Sequence, residues 1–240
     1  MTPSEMRMEI IEASSPNFGP RRDGLRPELV VLHYTAMRTA EAALERLRDP
    51  TAAVSSHYLV AEDGRIWRLV PESERAWHAG AGSWGGAGDV NSRSIGIELA
   101  NAGPLDDFPP FPEPQMAALE RLLDGILARW GIPPAGVIAH SDMAPERKSD
   151  PGPKFDWRRL ARRGRAVWPG ETPAGPEGWD AFRVAAAEAG YAAPEGDWAA
   201  VLAAARLRFR PWARGKPDAA PDAADVAAMR ACVDRGAVPT

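Results

Sequence analysis

The sequence predicts an α/β fold (α+β), in which helices pack against a central β-sheet, followed by a small module of three helices. Three observations carry this prediction. Nearly continuous apolar runs at 29–35 and 94–101 are typical of strands that a sheet buries on both faces. Apolar residues recur at helical spacing over 113–130, and Gly131 ends the run. Three alanine-rich segments after a Pro- and Gly-rich stretch indicate the helical module.

The local sequence predicts the elements of the first domain in order. Residues 1–28, rich in Pro, Arg and Ser, are expected to be irregular. The dipeptide Asp63-Gly64 favours a hairpin turn, because glycine adopts positive φ at little cost. The other elements are expected as strand 29–35, helix 39–48, strands 57–61 and 66–70, a glycine-rich loop at 80–88, strand 94–101, helix 113–130, strand 137–139 and helix 156–163.

A second unit is expected at the C-terminal end. Residues 169–178 contain three prolines and three glycines and are typical of a linker. The expected division is therefore a domain at 1–168 and a helical module at 179–240, docked on that domain because about 60 residues make a marginal core. Its helices are predicted at 179–189, 197–209 and 222–235, with Asp197 and Asp222 as N-caps.

The bulk composition limits the classes of protein and of site. The 240 residues, 45% of them hydrophobic, suffice for a domain of about 150 residues and a smaller one. A net charge of −4 gives no indication of a nucleic-acid or anionic-membrane partner. The single cysteine, Cys232, excludes an internal disulfide and a cysteine-rich zinc site, so a metal would need His, Asp or Glu ligands.

Targeting and membrane signals are not visible in the sequence. No apolar run approaches the roughly 18 residues of a membrane span. The N-terminal segment, 1–11, lacks the continuous apolar region of a secretory signal. We therefore expect a cytoplasmic protein, or a periplasmic one if a signal segment has been removed.

Two histidines mark a candidate metal site. His33 and His140 each follow an apolar strand, at the sheet edge where open α/β sheets place functional groups. Neighbouring strands would bring both imidazoles to one ion, and Asp150 is the nearest third ligand in a loop that can fold back. Three protein ligands leave a fourth position for water, as in catalytic zinc sites. A solvated loop with a histidine at a strand end is the alternative.

Two charged residues could act beside that site. Glu98 stands among apolar neighbours, where a carboxylate is costly to bury without a partner or a task. It is either a general base whose pKa is raised by its setting, or a solvent-facing glutamate at the end of an alternating strand. Lys148 could stabilise an oxyanion, although a lysine in a loop is most often simply solvated. Trp77 and His78 could form the wall of a sugar or peptide cleft, or merely pack, and His57 is expected to be structural.

Five segments in order resemble one enzyme family. Between about residue 25 and residue 168, the chain is similar to the zinc-dependent N-acetylmuramoyl-L-alanine amidases of the AmpD and AmiD type, whose superfamily includes amidase-type phage lysozymes and peptidoglycan recognition proteins. The segments are Leu-His-Tyr-Thr (32–35), Ser-His-Tyr-Leu-Val (56–60), Arg-Ala-Trp-His-Ala-Gly (75–80), Ser-Ile-Gly-Ile-Glu-Leu (94–99) and His-Ser-Asp-Met-Ala-Pro-Glu-Arg-Lys-Ser-Asp-Pro-Gly-Pro (140–153).

The resemblance implies a fold, a cofactor and a reaction. It implies a mixed central sheet, Zn²⁺ held by His33, His140 and Asp150, and hydrolysis of the amide that joins muramic acid to L-Ala. Glu98 stands at the family's catalytic carboxylate and Lys148 at the lysine that assists the carbonyl oxygen. Some relatives use a tyrosine in place of that carboxylate, where this chain has Ser56, so Glu98 is the expected base. A binding protein without activity, which would keep zinc for structure, is the alternative.

The resemblance also suggests how substrate is bound. The candidate substrate-binding residues are Tyr34, Trp77, His78 and Arg93. Many relatives carry an arginine where this chain has Asp89, and Arg93 is the candidate substitute for its contact with a stem-peptide carboxylate.

The expected partner is peptidoglycan, and the protein is expected to act as a monomer. A cytoplasmic location favours muropeptides, in particular 1,6-anhydro-muropeptides, as in cell-wall recycling. The C-terminal segment is similar, more weakly, to a peptidoglycan-binding helical module through Gly-Tyr (190–191) and Arg-Phe-Arg-Pro-Trp (208–212), which favours intact murein. The sequence leaves both substrate forms open.

Overall fold

The structure, a computed structural model, describes residues 9–169, 175–213 and 220–235. Within these ranges the strands are β1 (Ile10–Glu12), β2 (Phe18–Pro20), β3 (Leu29–Tyr34), β4 (Tyr58–Val60), β5 (Ile66–Arg68), β6 (Glu74–Ala76), β7 (Ser94–Leu99) and β8 (Val137–Ala139). The α-helices are α1 (Ala40–Arg48), α2 (Val90–Arg93), α3 (Glu113–Trp130), α4 (His140–Met143), α5 (Trp157–Arg162), α6 (Trp179–Glu188), α7 (Trp198–Phe209) and α8 (Ala223–Arg235).

The central sheet contains six strands in the order β1-β5-β4-β7-β3-β8. The β4–β5 hairpin is antiparallel, as the Asp-Gly turn predicts, whereas β7, β3 and β8 run parallel to one another. The expected mixed sheet flanked by helices is therefore confirmed. Its register places His33 opposite Glu98 on the neighbouring strand, and residues in register present their side chains on the same face.

Strand β3 has a continuous apolar sequence because both of its faces are covered. Val30 and Leu32 belong to an apolar cluster with α3 and α5. Leu29 and Val31 belong to a second cluster, to which the helices of the C-terminal module contribute residues such as Phe182. The module thus packs on one face of the sheet, as expected from its size, and α3 packs on the other.

Helix ends follow their capping signals. Thr39 accepts a hydrogen bond from the Ala42 amide at the start of α1, and Asp197 accepts one from the Ala200 amide at the start of α7. Asp222 accepts hydrogen bonds from two amides at the start of α8. Helix α3 ends at Gly131, whose φ of 68° is the left-handed conformation that glycine adopts readily.

Two local predictions are wrong. The segment 9–28 is not wholly irregular, because β1 pairs with β5 and β2 pairs with β6. Strands of three residues held by main-chain pairing leave no periodic pattern in the sequence. The segment after β8 was expected to be a loop that begins at His140. It begins instead with the single helical turn α4, which is closed by a hydrogen bond from the Ala144 amide to the His140 carbonyl.

The predicted division into domain, linker and module stays a prediction. Residues 170–174 of the linker, and residues 214–219 of the turn between α7 and α8, lie outside the described residues. None of the helices within the described ranges has the length and apolar composition needed to cross a bilayer.

Candidate active site

The two strand-end histidines meet at one edge of the sheet. Strands β3 and β8 are parallel neighbours, so their carboxyl ends lie side by side. The Nδ1 atoms of His33 and His140 are 2.9 Å apart, and Asp150 Oδ2 lies 2.9 Å from each of them. All three side chains are buried. The structure therefore brings together the three residues that the sequence suggests as ligands.

A chain of hydrogen bonds assigns the tautomer of His33. The Val90 carbonyl can only accept, so the hydroxyl of Ser94 donates to it at 2.5 Å. Ser94 Oγ then accepts from His78 Nε2–H at 3.2 Å, and this leaves His78 Nδ1 to accept from His33 Nε2–H at 3.0 Å. The remaining nitrogen, His33 Nδ1, consequently carries a lone pair directed towards Asp150. Such partners on the outer nitrogen orient ligand histidines in metal sites.

Gly96 leaves space for the His78 ring, the middle member of this series of hydrogen bonds. The His78 ring lies across β7, and a Cβ at residue 96 would come within 2.4 Å of His78 Cγ. A side chain at this position would displace the ring, which explains a glycine in an otherwise apolar strand.

His140 is oriented by a main-chain acceptor. Its Nε2 lies 2.9 Å from the Ala79 carbonyl, which can only accept, so Nε2 carries the proton. Its Nδ1 therefore presents a lone pair, as His33 Nδ1 does. Two imidazole lone pairs and a carboxylate oxygen in mutual contact repel one another unless a cation lies among them. The residues present thus fit a metal ion, and two nitrogens and one oxygen form a donor set that suits zinc.

The pKa of His33 is consistent with a role as a metal ligand. Burial, followed by the neighbouring His140, lowers the pKa of His33 to about 4, so the imidazole is neutral at pH 7. Neutral imidazoles and an ionised carboxylate are the forms that bind metal.

Glu98 lies beside His33 on the adjacent strand. Its Oε2 is buried and has no hydrogen-bond partner among the residues that the structure describes. Burial, followed by the charge of Asp150, raises the pKa of Glu98 well above its usual value. A buried carboxyl oxygen without a partner costs stability, which favours a functional role over a solvent-facing glutamate at a strand end. Ser56, where some relatives have tyrosine, instead donates to the Tyr58 carbonyl at 2.9 Å.

These groups line a cleft of about 440 Å³. Lys148 is exposed on its wall, and its charge favours the ionised form of Glu98. Tyr34 and Trp77 also line the cleft, and the Tyr34 hydroxyl lies 2.7 Å from Ser149 Oγ. His78 lines it as well, with both ring nitrogens engaged in the chain described above.

Arg93 is not brought into the cleft. Its guanidinium donates to the carbonyls of Trp84 and Ala87 and pairs with Glu28. Asp89, at the position where many relatives have arginine, pairs with Arg75 at 3.2 Å. Both residues thus stabilise the segment before β7, and neither lines the cleft.

Three residues of the site were not singled out from the sequence. Ser94 ends the tautomer chain, and Arg147 donates to the carbonyls of Ala79 and Ala81. Arg46 reaches the cleft from α1. Their roles depend on contacts between distant segments, and their local sequence carries no signal beyond charge or polarity.

The fold and the site together define a class of protein. A buried set of two histidines and an aspartate, placed beside a buried carboxyl in an open cleft, is typical of metal-dependent hydrolases. A protein family described as N-acetylmuramoyl-L-alanine amidase matches residues 23–153, and the chain belongs to this family.

Individual relatives agree with this assignment. The chain is 46% identical over 156 residues to AmiD of Escherichia coli (strain K12), an alignment that covers 60% of this chain and 55% of that relative. It is 34% identical over 169 residues to the 1,6-anhydro-N-acetylmuramyl-L-alanine amidase AmpD of Citrobacter freundii, covering 63% and 88% of the two chains.

The similarity extends to a solved structure. AmiD from E. coli, in complex with the substrate anhydro-N-acetylmuramic acid-L-Ala-D-γ-Glu-L-Lys, superposes with a TM-score of 0.76 at 36% identity. The match covers 88% of this chain and 91% of that chain.

Proposed function

We propose that this protein hydrolyses the amide bond between the lactyl group of N-acetylmuramic acid and L-Ala in peptidoglycan stem peptides. The observation that carries the proposal is the position of Glu98, whose buried Oε2 has no hydrogen-bond partner among the described residues, on the strand beside His33, one of the three clustered candidate ligands. Membership of the amidase family supports the choice of bond.

The proposed cofactor is a zinc ion held by Nδ1 of His33, Nδ1 of His140 and Oδ2 of Asp150. When bound, zinc supplies Lewis-acid chemistry that polarises the scissile carbonyl and makes water more acidic. The protein contributes ligands whose tautomers are set in advance by the Ser94 and Ala79 contacts, so little reorganisation is needed when the ion binds.

Glu98 is proposed as the proton carrier. A raised pKa makes the Glu98 carboxylate a stronger base, which favours its taking a proton in the reaction. In the carboxylate form Glu98 takes a proton from the attacking water. In the carboxylic acid form it returns that proton to the amine of L-Ala as the C–N bond breaks.

Lys148 is proposed to stabilise the oxyanion that forms on the lactyl carbonyl. Its ammonium stands on the cleft wall, on the loop that ends at Asp150. A cation at this position stabilises negative charge that is greater in the transition state than in the substrate, which is the interaction that raises kcat. Tyr34 and Trp77 are proposed to contact the sugar or the peptide.

We infer that the substrate is a soluble anhydro-muropeptide. The solved relative with 36% identity was captured with a substrate of this type, and the AmpD relative is named for it. All of the proposed catalytic groups come from one chain, so the reaction needs no second subunit.

Glu98→Gln tests the proposal, because it keeps the shape of the side chain and removes its proton chemistry. The zinc-loaded protein is incubated with anhydro-N-acetylmuramyl tripeptide and, separately, with whole sacculi, and released peptides are identified by mass. The variant should retain zinc and lose about 10²–10⁴-fold in turnover. Glu45→Gln, an exposed glutamate on α1, is the matched control and should behave like the wild type.

The outcomes separate the alternatives. Wild-type protein that binds the muropeptide without releasing peptide would indicate the non-catalytic binding protein. Near-normal turnover by Glu98→Gln would remove Glu98 from the mechanism. Faster release from sacculi than from the soluble fragment would contradict the inferred substrate.

A further inference from the structure

Asp142 connects the metal-binding turn to the C-terminal module. It lies in α4, two residues after His140, and its side chain is fully buried. One carboxylate oxygen, Oδ2, accepts from the Ala139 amide at 2.8 Å and from the guanidinium of Arg208. The other, Oδ1, accepts from the Tyr191 hydroxyl at 2.7 Å. Two of its three partners therefore come from the module.

Arg208 makes further contacts beyond its ion pair with Asp142. Its second terminal nitrogen donates to the Val137 carbonyl at 3.2 Å, at the start of β8. Its guanidinium lies 4.0 Å from the ring centroid of Trp157 and 4.9 Å from that of Phe209. Arg208 thus contacts the strand that precedes His140 and, through Asp142, the turn that follows it.

The module also holds the segment that orients the His140 ring. The Gly85 amide donates to the Gly190 carbonyl at 2.9 Å, and the rings of Trp84 and Tyr191 are 4.9 Å apart. A Cβ on Gly190 would lie 3.0 Å from Trp84, so the two segments pack without space between them. The same glycine-rich loop begins next to Ala79, whose carbonyl accepts from His140.

We propose that Arg208 and Tyr191 are positioning residues that hold His140 in the geometry needed to bind metal. In this role the C-terminal module stabilises the metal site, independently of any affinity of the module for the cell wall. This inference rests on the proposed metal site. Removing either contact is expected to loosen α4 and to weaken metal binding without touching a ligand.

The experiment measures the zinc dissociation constant by chelator competition and the melting temperature of the zinc-free protein. Tyr191→Phe removes one hydroxyl, and Arg208→Met removes the charge but keeps much of the apolar contact. Loss of such outer partners typically weakens metal binding about 10–100-fold. We expect about tenfold for Tyr191→Phe and more for Arg208→Met, with an altered visible spectrum of the cobalt-loaded proteins.

The module offers a matched control in Arg206. It lies on the same helix, is 5% exposed like Arg208, and pairs at 2.7 Å with Asp225, which is 3% exposed. Its guanidinium donates to the Asp225 carboxylate and to the Ala220 carbonyl, both of which belong to the module. Arg206→Met should lower the melting temperature by a similar amount while the zinc dissociation constant stays within twofold of the wild type.

Two results would overturn the inference. One is a zinc dissociation constant within twofold of the wild type in both Tyr191→Phe and Arg208→Met. The other is an equal weakening of zinc binding in Arg206→Met, because the effect would then follow stability alone. Should Arg208→Met fail to fold, Tyr191→Phe decides. Wild-type protein that binds zinc but releases no peptide contradicts the proposed reaction, and the zinc constants of the variants still decide the positioning role.

Discussion

The two halves of the site are built in different ways. His33 and Glu98 stand on β3 and β7, central strands whose positions are set by apolar burial and by register. His140 and Asp150 stand on a turn and a loop, where buried hydrogen bonds and ion pairs add to the apolar packing of Met143 and Ala144. We call these the strand half and the turn half.

The two halves differ in the contacts that mainly fix their side chains: apolar packing in the strand half and hydrogen bonds in the turn half. Residues on central strands move only if the sheet moves, which would open the apolar core. Residues of the turn half depend on Asp142, Arg208 and Tyr191, where loss of one partner leaves a buried polar group unpaired. We therefore expect substitutions near the turn half to change metal binding, and those in the strand half to change chemistry or stability.

The largest expected effect comes from Asp150→Ala in the turn half. It removes the only carboxylate among the three candidate ligands and leaves two imidazoles. The purified variant should contain far less than one zinc per chain and should lose at least about 10³-fold in turnover. Metal analysis and peptide release check both. Glu98→Gln, from the strand half, should keep its zinc. If Asp150→Ala retained one zinc per chain, the expected difference between the two halves would be wrong.

The sequence predicted the strand half better than the turn half, for a physical reason. Apolar runs ending in His33 or containing Glu98 are local signals, and parallel neighbours bring their ends together. The ligands of the turn half were also suggested by local spacing and by resemblance. The residues that hold these ligands in place were not predicted. Asp142 and Arg208 are 66 positions apart, and neither residue has a local pattern that identifies the other.

Contacts between distant segments also explain why the position of Arg93 and three short strands differ from the prediction. Arg93 was expected to meet substrate, but its partners are main-chain carbonyls and Glu28, which no spacing rule indicates. The short strands β1, β2 and β6 form by pairing between segments far apart in the sequence, and they lack the longer apolar run or turn signal that indicates β4, β5 and β8.

Lys148→Met is expected to slow the reaction without removing metal. The substitution keeps the length of the side chain and removes its charge from the cleft wall. By comparison with loss of one oxyanion-hole donor, turnover should fall about 10²–10³-fold, with the loss in kcat and little change in KM. Steady-state kinetics and zinc content measure this. Lys154→Met is the control, since Lys154 donates to the Asp107 carbonyl and does not line the cleft.

His57→Gln tests the packing of the strand half through pH. Burial lowers the pKa of His57 to about 3 from an ordinary 6.5, and its nitrogens contact the Gly96 amide and the Glu74 carbonyl. A lowered histidine pKa contributes stability that is present above pH 6.5 and is lost as pH falls towards 3. Between pH 7 and pH 5, the zinc-free wild type should therefore lose about 2 kcal/mol more than the variant.

Denaturant unfolding at the two pH values measures this difference. The two proteins differ only at residue 57, so the difference between their losses reports on His57. Equal losses for wild type and variant would mean that His57 is not held neutral by burial.

The smallest expected effect comes from Ser94→Ala, which lies in the strand half but acts on a ligand. Without the hydroxyl, His78 loses the acceptor that fixes its tautomer, and the proton on His33 Nε2 loses a defined partner. Because Ser94 is one step further from the metal than a direct partner, zinc binding should weaken by roughly threefold to tenfold, below the usual range for direct partners. Ser94→Thr keeps a hydroxyl and should restore most of the affinity. Chelator competition on the three proteins measures the effect. An unchanged zinc dissociation constant in Ser94→Ala would show that the orientation of His33 does not depend on the hydroxyl of Ser94.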